Sequence, residues 1–151
     1  MKKVIFAALT ALWTGGIAVA DVWTGTGSLY DGNRNLIGSY DLTVNIETAA
    51  DGSRTSDIKV SLPDGTEKLI HCQSQGPENK WSKTCDDGMA GGGYYFEKGL
   101  ISEYVENTAG KAQATTIIFD SETSMRLLRT ELIGNDATRF YVESLTKVSS
   151  K

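Results

Sequence analysis

One imidazole, two thiols and a few clustered carboxylates are the groups in this sequence with types and spacing that could do chemistry. The imidazole is His71, beside Cys72; the second thiol is Cys85. Nucleophilic catalysis needs a nucleophile, a base and an orienting group that converge in space. His71 is the single histidine, and no Gly-x-Ser-x-Gly elbow surrounds any serine. His71, Cys72, Cys85 and their acidic neighbours lack a recognisable ligand spacing, so no metal is expected. Asp86-Asp87 and the Glu103/Glu106 pair offer two carboxylates for acid–base work. They read instead as turn and surface residues. No phosphate loop, dinucleotide fingerprint or calcium loop occurs. The chain is therefore expected not to be an enzyme and to carry no cofactor.

The ends and the charge give an address. Met1-Lys2-Lys3 is followed by a mostly apolar run from Val4 to Trp13 and by Ala18-Val19-Ala20. A basic start, a short apolar core and small residues at the −3 and −1 places make a secretory signal peptide. Cleavage is expected after Ala20, leaving residues 21–151 as one domain. The leader has a bacterial character, which places the mature chain in the periplasm or among secreted proteins. Removing Lys2 and Lys3 from the 15 basic residues leaves 13 against 19 acidic ones, a net charge of −6. Such a surface does not suit the phosphates of a nucleic acid. No transmembrane span is expected in the mature chain.

In an exported chain two cysteines form a disulfide by default. Residues 67–74 and 80–85 read as two strands broken by Gln75-Gly76-Pro77-Glu78-Asn79. A hairpin centred near Glu78-Asn79 sets Cys72 opposite Cys85, and the pair is expected to be bridged.

The elements that must position these groups are strands. In residues 36–47, Leu36, Gly38, Tyr40, Leu42, Val44 and Ile46 alternate with Ser39, Asp41, Thr43, Asn45 and Glu47. A strand turns successive side chains to opposite faces, so this run has one dry face and one wet one. About ten such segments follow one another, separated by turn residues such as Asp31-Gly32-Asn33 and Pro63-Asp64-Gly65. Short links favour antiparallel neighbours. The expected fold is all-β: an antiparallel up-and-down meander of 8–10 strands closed into a barrel, with a two-sheet β-sandwich as the alternative. Closure removes the exposed edges of an open sheet. An outer-membrane barrel needs an apolar outside, and Asp41, Asn45, Glu47, Asp57 and Lys59 interrupt any such band if the wet row faces out. The inverted version, with the apolar row toward lipid and a polar interior, stays open on alternation alone, though late strands mixed on both faces (Leu127-Leu128, Phe140-Tyr141) fit it poorly. Met89-Ala90-Gly91-Gly92-Gly93 is expected to be a bent or bulged strand, with a flexible lid or a place of close ligand or partner approach as the alternative.

Aromatic residues recur on most strands. Trp23, Tyr40, Leu42, Val44, Tyr104 and Arg129 are the candidate lining of an interior ligand site. Gly25, Gly27, Gly38, Ala112 and Ala114, at or near inward places, would leave it room. Arg129 is read as closing the barrel end by stacking on an aromatic such as Trp23, or as an internal cation for a ligand carboxylate.

The N-terminal Trp23-Thr24-Gly25-Thr26-Gly27, the strand meander and the late inward arginine resemble the calycin group, which includes lipocalins, avidins and fatty-acid-binding proteins. The resemblance covers the layout of residues 21–148. It departs from lipocalins in placing Trp23 before Gly25, and from fatty-acid-binding proteins in leaving no room for a helical lid at Asp31-Gly32-Asn33. It implies a protein that binds a small apolar or amphipathic ligand inside a barrel. Exported bacterial inhibitors of proteases and lysozyme also look like small disulfide-bearing barrels. The alternative is therefore an interaction module whose partner is a secreted or periplasmic protein, either a hydrolase it inhibits or an envelope-assembly partner. A third reading is a structural subunit that pairs through a sheet edge.

Overall fold

In the computed structural model, residues 19–148 are described except 78 and 98. The expected leader lies outside the described residues, apart from Val19 and Ala20, which open the first strand. Ten strands follow in chain order: β1 Val19–Asp31, β2 Leu36–Thr48, β3 Arg54–Ser61, β4 Glu67–Gln75, β5 Lys80–Cys85, β6 Ala90–Glu97, β7 Leu100–Glu106, β8 Lys111–Ser121, β9 Ser124–Ile133 and β10 Asp136–Val148. Each pairs antiparallel with the next, and β1 pairs with β10 from Val22↔Val148 to Asp31↔Arg139. The barrel is closed. The sandwich alternative falls, and so does the edge-pairing subunit, because a closed barrel has no free edge along which to add a strand.

The turns follow local chemistry, with one displacement. Between β1 and β2 the left-handed residue is Arg34 (φ 68°), not Gly32 or Asn33. The Asp31 carboxylate decides this by accepting the backbone N–H groups of Asn33 and Asn35 at 2.9 and 2.8 Å. Asn35 also donates its side-chain amide to Asp31. These bonds hold the Asp31 carboxyl below the usual aspartate range, the Asn35 side-chain bond contributing most.

Cys72 lies directly opposite Cys85, and the two are joined. With a sequence separation of 13, the chain-entropy picture gives this link about 3 kcal/mol. It is consistent with an oxidising, exported compartment.

One apolar cluster, formed by Trp23, Tyr40, Leu42, Val44, Met125, Leu127 and Leu145, fills the barrel between β1–β2 and β9–β10. The register puts these residues on one face: Trp23 opposite Val44, Gly25 opposite Leu42 and Leu145, Gly27 opposite Tyr40. The Trp23 ring meets Phe119 edge-on at 6.0 Å. The small residues do not open a cavity here. A Cβ on Gly25 would enter the Ser144 carbonyl, and the Tyr40 ring occupies the place of a Gly27 side chain. Ala112 and Ala114 alternate with inward Gln113 and Thr115, and so take outward places in the register, although Ala112 is itself buried.

The glycine run is part of β6, a strand rather than a loop. Gly93 lies opposite Trp81, whose indole Cε2 sits 2.6 Å from where a Gly93 Cβ would be. Gly91 stands between Lys83 and Val105, and Gly93 faces Glu103. With no side chains on this stretch of β6, Lys83 on β5 reaches Glu103 on β7 across the intervening strand, Nζ to Oε2 at 2.8 Å. Both side chains are 15% exposed.

Candidate functional site

The site residues expected from sequence divide into two places. Trp23, Tyr40, Leu42 and Val44 are together in the barrel core, each buried. Arg129 is inside as well, opposite Tyr141 on β10 and Thr115 on β8. Tyr104 is not. It alternates with the buried Val105 and lies on the outer wall, 47% exposed, where its hydroxyl donates to Glu106 Oε2 at 3.1 Å. That carboxylate raises the Tyr104 hydroxyl above its usual range.

Arg129 does not stack on Trp23; Lys147 takes that place, its Nζ 5.9 Å from the indole centroid. The Arg129 guanidinium lies 5.5 Å from the Tyr141 ring centre and donates through Nη2 to both oxygens of Glu143, at 2.7 and 2.6 Å. Glu143 is 1% exposed and also accepts from the Tyr40 hydroxyl. Burial, followed by the charge of Glu143, pushes the Tyr40 hydroxyl far above the usual tyrosine range, so it stays protonated and serves as a donor. Burial works against the Arg129 charge, but Glu143 outweighs it and holds the guanidinium firmly charged. The Arg129 Nε is buried without a hydrogen-bond partner. Sequence reasoning set Arg129 on the inward face and did not name Glu143. The signal was there: Glu143 shares its strand face with Tyr141 and Leu145, opposite Val142 and Ser144.

A second buried carboxylate lies near the β7–β8 and β9–β10 turns. Glu131, 6% exposed, takes Lys111 Nζ at 2.8 Å and the Tyr141 hydroxyl at 3.3 Å. Burial pushes its carboxyl up, but the Lys111 bond and charge together with Arg139 outweigh it, so its affinity for a proton falls below the usual glutamate range. A depressed carboxylate stabilises the fold above its unfolded-state value, about 4.3, and that stabilisation disappears as pH drops through the folded value. Glu131→Gln is therefore expected to flatten the loss of unfolding free energy below about pH 4.3. Urea melts of both proteins across that range check it; parallel acid limbs would refute it.

The open space lies elsewhere, on the wall made by β4–β7. A cleft of about 540 Å³ is lined by residues including Gln75, Pro77, Lys80, Trp81, Tyr94 and Tyr104. Lys80, Ser82, Tyr94 and Tyr104 point outward, opposite in alternation to the buried Trp81 and Val105. Bare backbone at Gly91 and Gly92 forms part of the lining between the two tyrosines. Lys80 Nζ stands 5.5 Å from the Tyr94 ring centre. Four strands contribute, and of the expected site residues only Tyr104 is here. The β6 glycine run was the visible sign of close backbone approach.

His71 is on the outer face too, its Nδ1 2.7 Å from Asp57 Oδ1 and its backbone N–H donating to Asp86 Oδ1 at 3.1 Å. Among the described residues no group of three or more His, Cys, Asp or Glu is placed to hold a metal ion.

No known protein-family profile matches the chain, and no curated protein does. Solved structures do resemble it. One is an S-type phycobiliprotein lyase from Guillardia theta, with a TM-score of 0.62 and 11% sequence identity over 86% of this chain and 88% of that one. The expectation that the chain is not an enzyme, drawn from missing catalytic motifs, is corrected by this neighbour. A barrel of the same architecture belongs to a protein named a lyase, so a meander without a nucleophile elbow does not exclude catalysis. At this identity the likeness is one of fold: the closed ten-strand antiparallel barrel and its neighbour support a calycin-like fold.

Proposed function

We propose that this protein is an exported, periplasmic or secreted barrel that binds a small apolar or amphipathic molecule. The observation that carries this reading is the cleft of about 540 Å³ on the β4–β7 wall, which falls within the range of roughly 300–1,000 Å³ usual for small-molecule sites. Its walls suit an amphipathic guest. The Tyr94 and Tyr104 rings offer apolar faces, Gly91 and Gly92 let a flat group approach the backbone, and Lys80 offers a cation at the rim. The core residues Trp23, Tyr40, Leu42 and Val44 then act as the rigid support of the barrel, with Arg129 locked to Glu143. The neighbour's name, a phycobiliprotein lyase, is compatible with a barrel that handles small molecules.

Titration with the amphipathic dye anilinonaphthalene sulfonate tests the reading. The dye is expected to brighten on binding the folded protein. Tyr94→Ala and Tyr104→Ala are each expected to weaken binding about tenfold, in line with losing an aromatic contact of 1–1.5 kcal/mol. Absence of binding, or binding indifferent to both substitutions, would overturn it. Mass spectrometry of the protein from its own host then identifies the natural guest.

A second reading has its own observation. Tyr94, Tyr95 and Phe96 are exposed in sequence, at 51%, 37% and 69%. Consecutive exposed aromatics mark protein-binding surfaces. A secreted or periplasmic partner held there would be released by Phe96→Ser, a substitution remote in character from dye binding.

A further inference from the structure

The cleft on the β4–β7 wall differs in charge from the outside of the barrel beside it. The outward positions of β2–β4 carry Asp41, Glu47, Asp57 and Glu67, and the chain as a whole has a net charge of −4. Among the described residues lining the cleft there is no carboxylate, and Lys80 is the one charged side chain. The register also leaves the lining short of hydrogen-bonding groups. Gly92 stands between Ser82 and Tyr104, and Tyr94 between Lys80 and Ser102, so the β6 backbone is taken up by a ladder on each side. The Ser82 hydroxyl donates to the Gln75 carbonyl at 3.2 Å, and the Tyr104 hydroxyl is spent on Glu106. What remains is chiefly ring faces, peptide planes and one ammonium, Lys80 Nζ, beside the Tyr94 ring.

We propose that the guest of this cleft is an aromatic anion, a flat conjugated group bearing one carboxylate, sulfonate or similar charge. This rests on the ligand-binding reading above and narrows it to a class. Tyr94 and Tyr104 are diagonal neighbours across the β6–β7 ladder, a placement that sets the bases of two side chains about 7–8 Å apart. A single aromatic ring fills such a gap at about 3.5–4 Å from each side. A sugar needs a partner for each of its hydroxyls, and the ladders and internal bonds have used most of the donors on this wall. The charge follows from Lys80. A guest seated in the cleft displaces water from the ammonium. An uncharged guest leaves that loss unmet, whereas an anion replaces the water with a charge-assisted hydrogen bond. A local cation on a chain of net negative charge also draws anions to this wall in preference to the acidic β2–β4 side.

Two dyes that share one ring skeleton test this: anilinonaphthalene sulfonate and phenylnaphthylamine, which lacks only the sulfonate. Both are expected to brighten on the wild-type protein. Lys80→Met is expected to weaken binding of the sulfonate about fivefold, the upper end for an exposed ion pair, and to leave the uncharged dye within about twofold. Its melting curve is expected to match the wild type, because Lys80 is exposed. Lys68→Met removes the same charge from the far end of β4 and is expected to change neither dye. Tyr104→Ala is expected to weaken both, since stacking does not depend on the anion. Added salt is expected to weaken the sulfonate alone. Three results overturn the anionic class while leaving the cleft a binding site: a sulfonate affinity unchanged by Lys80→Met, an equal loss for both dyes, or the same loss in Lys68→Met. Binding of neither dye to the wild-type protein overturns the ligand-binding reading and this inference together.

Discussion

Glu143→Ala is expected to destabilise the fold by about 3–5 kcal/mol, the usual cost of breaking a buried ion pair from one side. Glu143 is 1% exposed and is held by Arg129 Nη2 and the Tyr40 hydroxyl. Removing its carboxylate leaves the guanidinium charged, 15% exposed and without its anion. The Nε of that group has no partner to begin with, so the strain on Arg129 is compounded. Tyr40→Phe removes one donor and keeps the pair, and is expected to cost less, about 1.5–3 kcal/mol for a hydrogen bond to a charged group. The double replacement Arg129→Met with Glu143→Leu removes both charges and fills their volume. It is expected to recover most of the loss, since a buried pair is often no better than packed hydrocarbon. Urea unfolding followed by tryptophan fluorescence measures all three. A cost below about 1 kcal/mol for Glu143→Ala, the value typical of exposed pairs, would mean that water reaches the pair.

The second large effect concerns a glycine and a backbone. Gly25→Ala is expected to cost about 3 kcal/mol, the upper end of the usual overpacking range. A Cβ there would enter the Ser144 carbonyl and lie 2.9 Å from Leu145 Cα. These are main-chain atoms of the paired strand β10, held by the closure ladder, and they cannot turn aside as a side chain would. Gly38→Ala provides the contrast. Gly38 is also on the inward row of its sequence pattern, but nothing lies within 4 Å of its Cβ position. Glycine in a strand is entropically unfavourable, so this substitution is expected to be neutral or to stabilise by about 0.5–1 kcal/mol. Thermal melts of both variants check the pair. Equal losses would refute the claim that Gly25 marks a close approach of β1 to β10.

Several features were legible in the residues because they are local. Residues 36–47 alternate so cleanly that one face had to be dry, and Tyr40, Leu42 and Val44 are buried together, while Leu36, at the start of the same row, is exposed at the strand end. The break at Gln75-Gly76-Pro77 fixed the register of β4 on β5, which set Cys72 against Cys85. Tyr104 shows where alternation stops being informative. On β7, Leu100 and Tyr104 alternate with Ile101, Glu103 and Val105, so both faces carry apolar groups and the charge sits on both. Glu103 points inward because Lys83 meets it across bare glycine, a contact between strands that are not neighbours. That contact sends Tyr104 outward. Arg129 shows the same limit: its own strand names no anion, and Glu143 reaches it only through the β9–β10 register.

The sequence by itself determined strand positions, turns, the disulfide and the net charge, all of which follow from short-range periodicity, backbone preference and counting. Only the tertiary structure decided which side of each mixed strand faces in, that Gly25 is a backbone contact and Gly38 is not, and that open space lies on the β4–β7 wall. Those outcomes depend on closing the barrel, which brings β1 against β10 over more than a hundred residues of intervening chain. They also depend on pairings across strands that no local window contains.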